Sequence, residues 1–349
     1  MNKGSVLVTG AHGYLGSVLM GELDSRGYRT VGVDNGLMSD VRVPLRHGRY
    51  VDADIREPAG WESLLADVDA VVHLAAIVGD PACGLDEDLA WQTNYLATVG
   101  LTEACRRYGV RDFFFASTCS NYGLSFGEAA GLHTALHPQS VYAESKIYSE
   151  HHLLSNAGED FRPRILRLST LYGLSPRMRF DLSINVMTAH AVNRGEVTVN
   201  GGAQWRPFLH VRDAAEAFIR AIEAKPAGAL NVWNCGSAAQ NHRIIDIAEI
   251  IAAEVPGTRI ARREADADSR DYLVDFTGMG EDLGFEPSRG VAEEVRLLAR
   301  AVGGGRFGPC TGTEFSNYET LRALTYAGSA ARPSTGHPTT AVRLAHQGH

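Results

Sequence analysis

The chain has little cysteine, and what it has follows no pattern. Cys83, Cys105, Cys119, Cys235 and Cys310 are scattered over 349 residues. An odd, scattered set excludes a disulfide framework and the paired spacing of a zinc site, so no metal is expected. It fits a reducing compartment, and the cytoplasm is the expected location. No apolar run approaches the roughly 18 residues that a membrane span requires. The chain begins in a strand-like segment, without the basic and apolar stretches of a secretory signal. Basic charge is also short: 33 Lys and Arg against 41 Asp and Glu give a net charge of -8. That balance excludes broad electrostatic binding of nucleic acid, while leaving room for a local phosphate pocket. No internal repeat is present. The rest is the composition of a soluble globular protein, long enough for one large domain or two smaller ones.

Strand-like and helix-like segments alternate through the first half. Strands are expected at Ser5 to Thr9, Thr30 to Asp34, Arg49 to Ala53, Ala70 to Leu74, Arg111 to Ala116 and Arg164 to Leu168. Helices are expected from Leu15 to Arg26, from Glu87 to Tyr108, and through Tyr142 to Ser155. Apolar strands alternating with amphipathic helices imply a parallel sheet covered on both faces. Beyond Leu174 the pattern loosens. Helices are expected at Leu182 to Arg194, Asp213 to Glu223 and Ile244 to Glu254, with a strand at Ala229 to Trp233 returning to the sheet. The expected architecture is α/β: a Rossmann-type doubly wound parallel sheet over residues 1–173, with returning segments near 207–245. A smaller mixed C-terminal substrate domain covers 174–325. Residues 326–349, rich in Ala, Gly, Ser, Thr, Pro and His, read as a mobile tail.

Gly10, Gly13 and Gly16 follow the first strand and open the first helix. A tight turn there must bring backbone N–H groups against a pyrophosphate, and the helix N-terminus adds its positive dipole end. Tyr14 and Leu15 lie in the same loop. Asp34 ends the second strand, where an acid accepts hydrogen bonds from the adenosine ribose. It would repel a 2′-phosphate, and the residues after it are Asn35 and Gly36 rather than Arg. The cofactor read from this pattern is NAD rather than NADP.

Tyr142-Ala143-Glu144-Ser145-Lys146 places a phenol and an ammonium one helical turn apart. A phenol titrates near 10 in water, and nearby positive charge favours its ionised form. Tyr142 is therefore the candidate base, Lys146 its cationic partner and ribose contact, and Thr118 the hydrogen-bond donor that positions the reacting oxygen. A purely local role for Thr118 at its strand end is the competing reading. Cys119 reads as a buried small hydrophobe, and His73 and His210 as structural.

The glycine spacing and Tyr142-x-x-x-Lys146 together resemble the short-chain dehydrogenase/reductase superfamily in its extended form. That is the branch of UDP-galactose 4-epimerase and the nucleotide-sugar dehydratases. The resemblance runs over about residues 4 to 325. It implies adenine contacts at Asp54 and Ile55, and a strand passing the pyrophosphate at Leu74, Ala75 and Ala76. It also implies a helix motif behind the site at Asn94-x-x-x-Thr98. Thr118 falls on the family's catalytic Ser/Thr. Arg206, in Arg206-x-Phe208-x-His210-Val211-x-Asp213, and Arg270 fall on its phosphate-binding arginines. Asn185 falls on a nucleotide-contacting asparagine, and Thr170 where the family often has an asparagine. Arg177 and Arg179 lie at the entrance to the second domain.

The related 4,6-dehydratases follow the Thr with Asp-Glu. Here Cys119 and Ser120 follow, neither a competent proton donor for elimination. The expected activity is NAD-dependent epimerisation of a nucleotide-diphosphate sugar through a transient keto-sugar. One-way keto-sugar reduction or sugar dehydrogenation is the alternative, and a non-catalytic NAD-sensing protein is the third reading. The resemblance further implies a homodimer through the helices around Glu87 to Tyr108 and Tyr142 to Ser155.

Overall fold

The computed structural model describes residues 3–224, 231–263 and 270–330. Seven parallel strands form the main sheet: β1 (Ser5–Thr9), β2 (Arg29–Asp34), β3 (Arg49–Asp52), β4 (Ala70–His73), β5 (Asp112–Thr118), β7 (Arg162–Leu168) and β11 (Asn231–Cys235). Their order is β11-β7-β5-β4-β1-β2-β3. The start of the strand expected at Ala229 to Trp233 lies outside the described residues. Alternate residues of each strand enter opposite cores, as the two-residue period of a strand requires. Val6, Val8, Phe114 and Leu166 pack with α1 (Tyr14–Ser25) and α7 (Val211–Glu223). Leu7, Val71, Phe113, Phe115 and Ile165 pack with α4 (Ala97–Tyr108) and α5 (Val141–Ser155). Both faces are covered, so these strands read as continuous apolar runs.

The smaller region is mixed. β10 (Trp205–His210) pairs parallel with β8 (Thr170–Tyr172) and antiparallel with β12 (Asn241–Arg243). β9 (Glu196–Asn200) pairs with β13 (Arg259–Arg263) beside α6 (Ser183–Arg194), α8 (Ile244–Glu254) and α10 (Val291–Gly303). β6 (Leu124–Ala130) pairs with β14 (Asp271–Val274). β6 therefore belongs to this region, although it lies within the first 173 residues. Short helices α2 (Asp80–Cys83), α3 (Glu87–Trp91) and α9 (Thr277–Leu283) and the C-terminal α11 (Asn317–Ala330) complete the fold.

Two expectations need correction. The helix expected from Glu87 to Tyr108 is α3, a π-turn at Gln92–Leu96, and α4. The wider turn swings Asn94 inward, where it bonds the segment after β4. Residues 326–330, expected as the start of a mobile tail, instead belong to α11, which continues to Ala330; the rest of that expectation, residues 331–349, lies outside the described residues.

His73, on central β4, shows how the sheet is tied to its helices. Thr98 gives its hydroxyl proton to the Asn94 carbonyl at 2.7 Å, so it accepts from His73 Nε2 at 2.9 Å. Thr9 accepts from Ala75 N–H and donates to His73 Nδ1 at 2.7 Å. The neutral ring fills both roles. Burial first, and the nearby Lys146 charge second, lower its pKa from 6.5 to about 3. The unfolded chain thus takes up a proton below pH 6.5 that the folded chain refuses until about pH 3. Stability falls as pH drops through that window. His73→Gln should flatten the dependence by up to about 1.4 kcal/mol per pH unit, read from urea unfolding at several pH values. An unchanged slope would show that His73 does not carry this linkage.

Candidate active site

The strand order reverses between β4 and β1, and there the carboxyl ends of the strands open a cleft of about 490 Å³. Gly10 follows β1 with φ +71°, and a Cβ there would lie 2.7 Å from Ala75 N. A Cβ on Gly16 would lie 2.0 Å from the Gly10 carbonyl oxygen. The turn therefore exists only with glycine at both positions. Gly13 N–H closes it onto Gly10 O at 3.1 Å and stands at the head of α1. The first turn of α1 holds no acid to offset its positive end. Leu15, Leu74, Ala75 and Ala76 line the adjoining wall.

Asp34, at the end of β2, is held by backbone donors: His12 N–H at 3.0 Å and Gly36 N–H at 2.9 Å. Asp54 accepts from Arg56 and from Asn35 Nδ2, and Arg56 holds its carboxyl down at about 2. Ile55 is buried beside it. This glycine cradle, bare helix end and oriented acid fit a dinucleotide. Asn94 is not part of the cleft wall. It is buried beneath, taking Ile77 N–H at 2.8 Å and donating to Ile77 O and to Ser145 on α5.

Thr118 ends β5, and Tyr142 and Lys146 lie on the first two turns of α5, which Ser140 caps through Ala143 N–H. All three line the cleft. Thr118 Oγ1 accepts Ser120 N–H at 3.0 Å and lines the cleft beside the Tyr142 phenol. Burial pushes the phenol pKa up; Cys83 and Asp80 act in the same direction, and Arg179 and Thr118 oppose them. Lys146 donates to Ala116 O at 2.9 Å and sits 4.5 Å from the Phe115 ring centroid. Burial brings its pKa down to about 8. Lys146 is thus committed to the β5 carbonyl in this arrangement, and Tyr142 is a neutral acid. Cys119 gives its thiol to Arg167 O, and burial pushes that thiol up to about 12. His210 lies off the cleft, its Nε2 3.1 Å from Glu294.

One turn beyond Lys146, buried Glu150 accepts from Ser117 Oγ, from Asn121 Nδ2 at 2.9 Å and from Arg167 Nη2 at 2.6 Å. Arg167 continues to the Tyr122 hydroxyl, and Tyr122 to Asn234 on β11. Glu150→Gln strands a buried guanidinium and should cost about 3–5 kcal/mol in urea unfolding. A cost under about 1 kcal/mol would mean the pair does not anchor α5.

The opposite wall carries arginines. Arg179 is gripped by Asp181 through two bonds, at 2.8 and 3.0 Å. Arg206 lies over the Tyr272 ring at 5.1 Å, and Arg270 pairs with Asp80 at 2.5 Å. Pairing of β14 with β6 carries Arg270 and Tyr272 to the cleft, where the Tyr272 hydroxyl meets Ser120 Oγ at 3.3 Å. Thr170 lines the same wall. Asn185 is fully buried outside it: it takes Gly173 N–H, and donates to Arg179 O at 2.9 Å and the Tyr14 hydroxyl at 3.2 Å. Tyr14 in turn donates to Gly173 O at 2.5 Å. The sequence reading missed His12, Asp80, Asp181, Tyr272 and Asn317, all in the cleft wall. Gly79-Asp80-Pro81, a glycine and a proline at a helix start shortly after a strand, was a usable signal for Asp80; nothing local marks Asn317. Among the described residues there is no cluster suited to a metal, and no helix is long and apolar enough to cross a membrane.

Known proteins share this arrangement. The NAD dependent epimerase/dehydratase family matches residues 6–236. A UDP-glucose 4-epimerase of Rhizobium leguminosarum bv. trifolii is 27% identical over 314 residues, covering 84% of this chain and 95% of that protein. UDP-glucuronic acid decarboxylase 4 of Arabidopsis thaliana is 26% identical, covering 84% of this chain and 68% of its own length. The structure of MoeE5 in complex with UDP-glucuronic acid and NAD superposes with a TM-score of 0.74 at 29% identity, over 85% of this chain and 99% of that one. With the glycine cradle, the acid of β2 and the Thr118, Tyr142 and Lys146 cluster at one cleft, the chain belongs to the NAD dependent epimerase/dehydratase family, and it is an NAD-dependent enzyme of the extended short-chain dehydrogenase/reductase type.

Proposed function

We propose that this enzyme epimerises one carbinol of a nucleotide-diphosphate sugar through a transient keto-sugar. A single observation carries the reading. Thr118, Tyr142 and Lys146 meet at the cleft, while the carboxylates beside them are engaged by arginine, Asp80 by Arg270 and Asp181 by Arg179. Elimination of water needs a further acid and base; redox at one carbinol does not. Bound NAD supplies a hydride acceptor and a positive charge, and once reduced a hydride donor. Tyr142 takes the hydroxyl proton as the carbinol is oxidised and returns it when the opposite face is reduced. Thr118 holds the reacting oxygen, and Lys146 fixes the ribose side. Arg206 and Arg270 are placed to hold the sugar's diphosphate.

The test is proton NMR of UDP-, GDP-, CDP- and TDP-sugars with the purified enzyme and no added cofactor. One sugar should equilibrate with its epimer. Tyr142→Phe should slow this by about 10²–10⁴-fold while the bound NAD is unchanged. Conversion only with stoichiometric NADH or NAD would instead identify a reductase or dehydrogenase, and release of CO₂ from a uronic acid sugar would identify a decarboxylase. Full activity in Tyr142→Phe would sink the assigned role of the phenol.

We also infer a homodimer in a reducing, cytoplasmic setting. The five cysteines are free and buried. Trp91, Tyr95 and Tyr148 stack edge to face at centroid distances of 5.3–6.0 Å, and Tyr148 and Leu96 are more than half exposed beside them. An apolar face of this kind on the two expected helices suits a second copy. Replacing Leu96 and Tyr148 together by Glu should give a monomer by light scattering; an unchanged mass would place the interface elsewhere.

A further inference from the structure

Arg177 is buried in the cleft wall, only 3% exposed. Its Nη2 donates to Asn317 Oδ1 at 2.8 Å and to Met38 O at 3.4 Å, and its Nε has no hydrogen-bond partner. Both partners are neutral. Arg179 has Asp181, Arg270 has Asp80 and Arg167 has Glu150, whereas Arg177 makes no ion pair among the described residues. The acids in electrostatic reach are Asp181 and Asp34. Asp181 is committed to Arg179 and to Asn317 N–H, and Asp34 to His12 and Gly36 N–H. Burial first, and the positive charge of Arg179 second, lower the guanidinium to about 10, which leaves it charged at neutral pH. A buried cation without a counter-ion is unfavourable by several kcal/mol, and a bound anion relieves it.

The topology says where that anion lies. Met38 follows β2, and Asn317 Nδ2 donates to Val78 O, which follows β4. In the sheet β1 lies between β2 and β4. The Arg177–Asn317 pair therefore bridges the loops on either side of the glycine turn that follows β1. Asn317 is the first described residue of α11, pinned by its N–H to Asp181 at 2.9 Å. Leu321, one turn on, packs against Ile77, Ala82 and Cys83.

We propose that Arg177 and Asn317 form a clasp over the diphosphate of the bound dinucleotide, so that the C-terminal helix α11 is part of the cofactor site. Arg177 supplies charge opposite the α1 N-terminus. Asn317 is a positioning residue that aims the guanidinium. The inference rests on the NAD-dependence of the enzyme and not on the epimerase reading. Release of a cofactor held in this way requires α11 to lift.

The experiment uses full-length protein freed of cofactor, with calorimetric titration of NAD, ADP-ribose, adenosine and UDP. Arg177→Gln should weaken NAD and ADP-ribose by roughly 10- to 100-fold and reduce the NAD that co-purifies. Adenosine, which lacks the diphosphate, and UDP, which probes the sugar-nucleotide side, should shift less than about threefold. Asn317→Ala should show a smaller loss of the same pattern, and should add little once Arg177 is Gln. Removing an uncompensated buried charge should leave the melting temperature of the cofactor-free protein unchanged or raised. A merely structural arginine would instead lower it and leave NAD affinity intact. NAD affinity within about threefold of the parent in both variants overturns the proposal, as does a loss confined to UDP, which would assign the arginine to the sugar nucleotide's own diphosphate.

Discussion

The buried Glu150 carboxylate fixes the geometry on which the rest of the site depends. A charge so far from water is tolerable only if it is fully paired, and Ser117, Asn121 and the Arg167 fork provide that pairing. Tyr142, Lys146 and Glu150 are spaced four residues apart, so they share one face of α5. Locking Glu150 to β5 and β7 thus sets the rotation of the helix about its axis. Lys146 then meets the Ala116 carbonyl, and Tyr142 faces the cleft that Thr118 also lines. Asn94 fixes the other side of the same helix to the wall of the cofactor cleft through Ser145.

The electrostatics around the cleft follow from the burial of its ionisable side chains. Burial raises the Tyr142 phenol and lowers the Lys146 ammonium and the His73 imidazole. In each case the uncharged form is favoured, which is what desolvation does to acids and bases alike. The cleft wall carries arginines, of which Arg179 and Arg270 are balanced by Asp181 and Asp80. Turning such an arginine toward a ligand would leave its carboxylate without a partner, whereas Arg177 makes no ion pair among the described residues and has no carboxylate to release.

The two regions of the chain are joined at the site itself. The Tyr14 hydroxyl, from the phosphate-binding loop, donates to Gly173 O, and Asn185 binds Tyr14, Gly173 and Arg179 together. Ser175 adds a bond to Tyr14 O. The cofactor loop and the arginine arm of the second region are therefore one hydrogen-bonded unit. A shift of the arm on sugar binding would be felt at the loop within two bonds.

Much of this was legible in the sequence wherever the determinant is local. Gly10 and Gly16 are required by backbone conformation and by contacts within a few residues or across one adjacent strand. Tyr142 and Lys146 meet through the pitch of a helix, and the seven-stranded sheet announces itself by apolar strands alternating with helices. The sequence by itself thus determined the fold class, the glycine turn and the placing of Tyr142 and Lys146 on one face of a helix. Tertiary structure alone decided the rest. Asp80 with Arg270 and Arg177 with Asn317 are pairs more than a hundred residues apart, formed only because strand order and the β6–β14 pairing bring their elements together. Asn185, which motif position places on the nucleotide, instead binds Gly173 N–H, Arg179 O and the Tyr14 hydroxyl, and Asn94, from the motif behind the site, joins the segment after β4 to α5. A single residue's spacing carries no record of which distant partner its polar atoms will meet. That choice belongs to the packing of the whole chain.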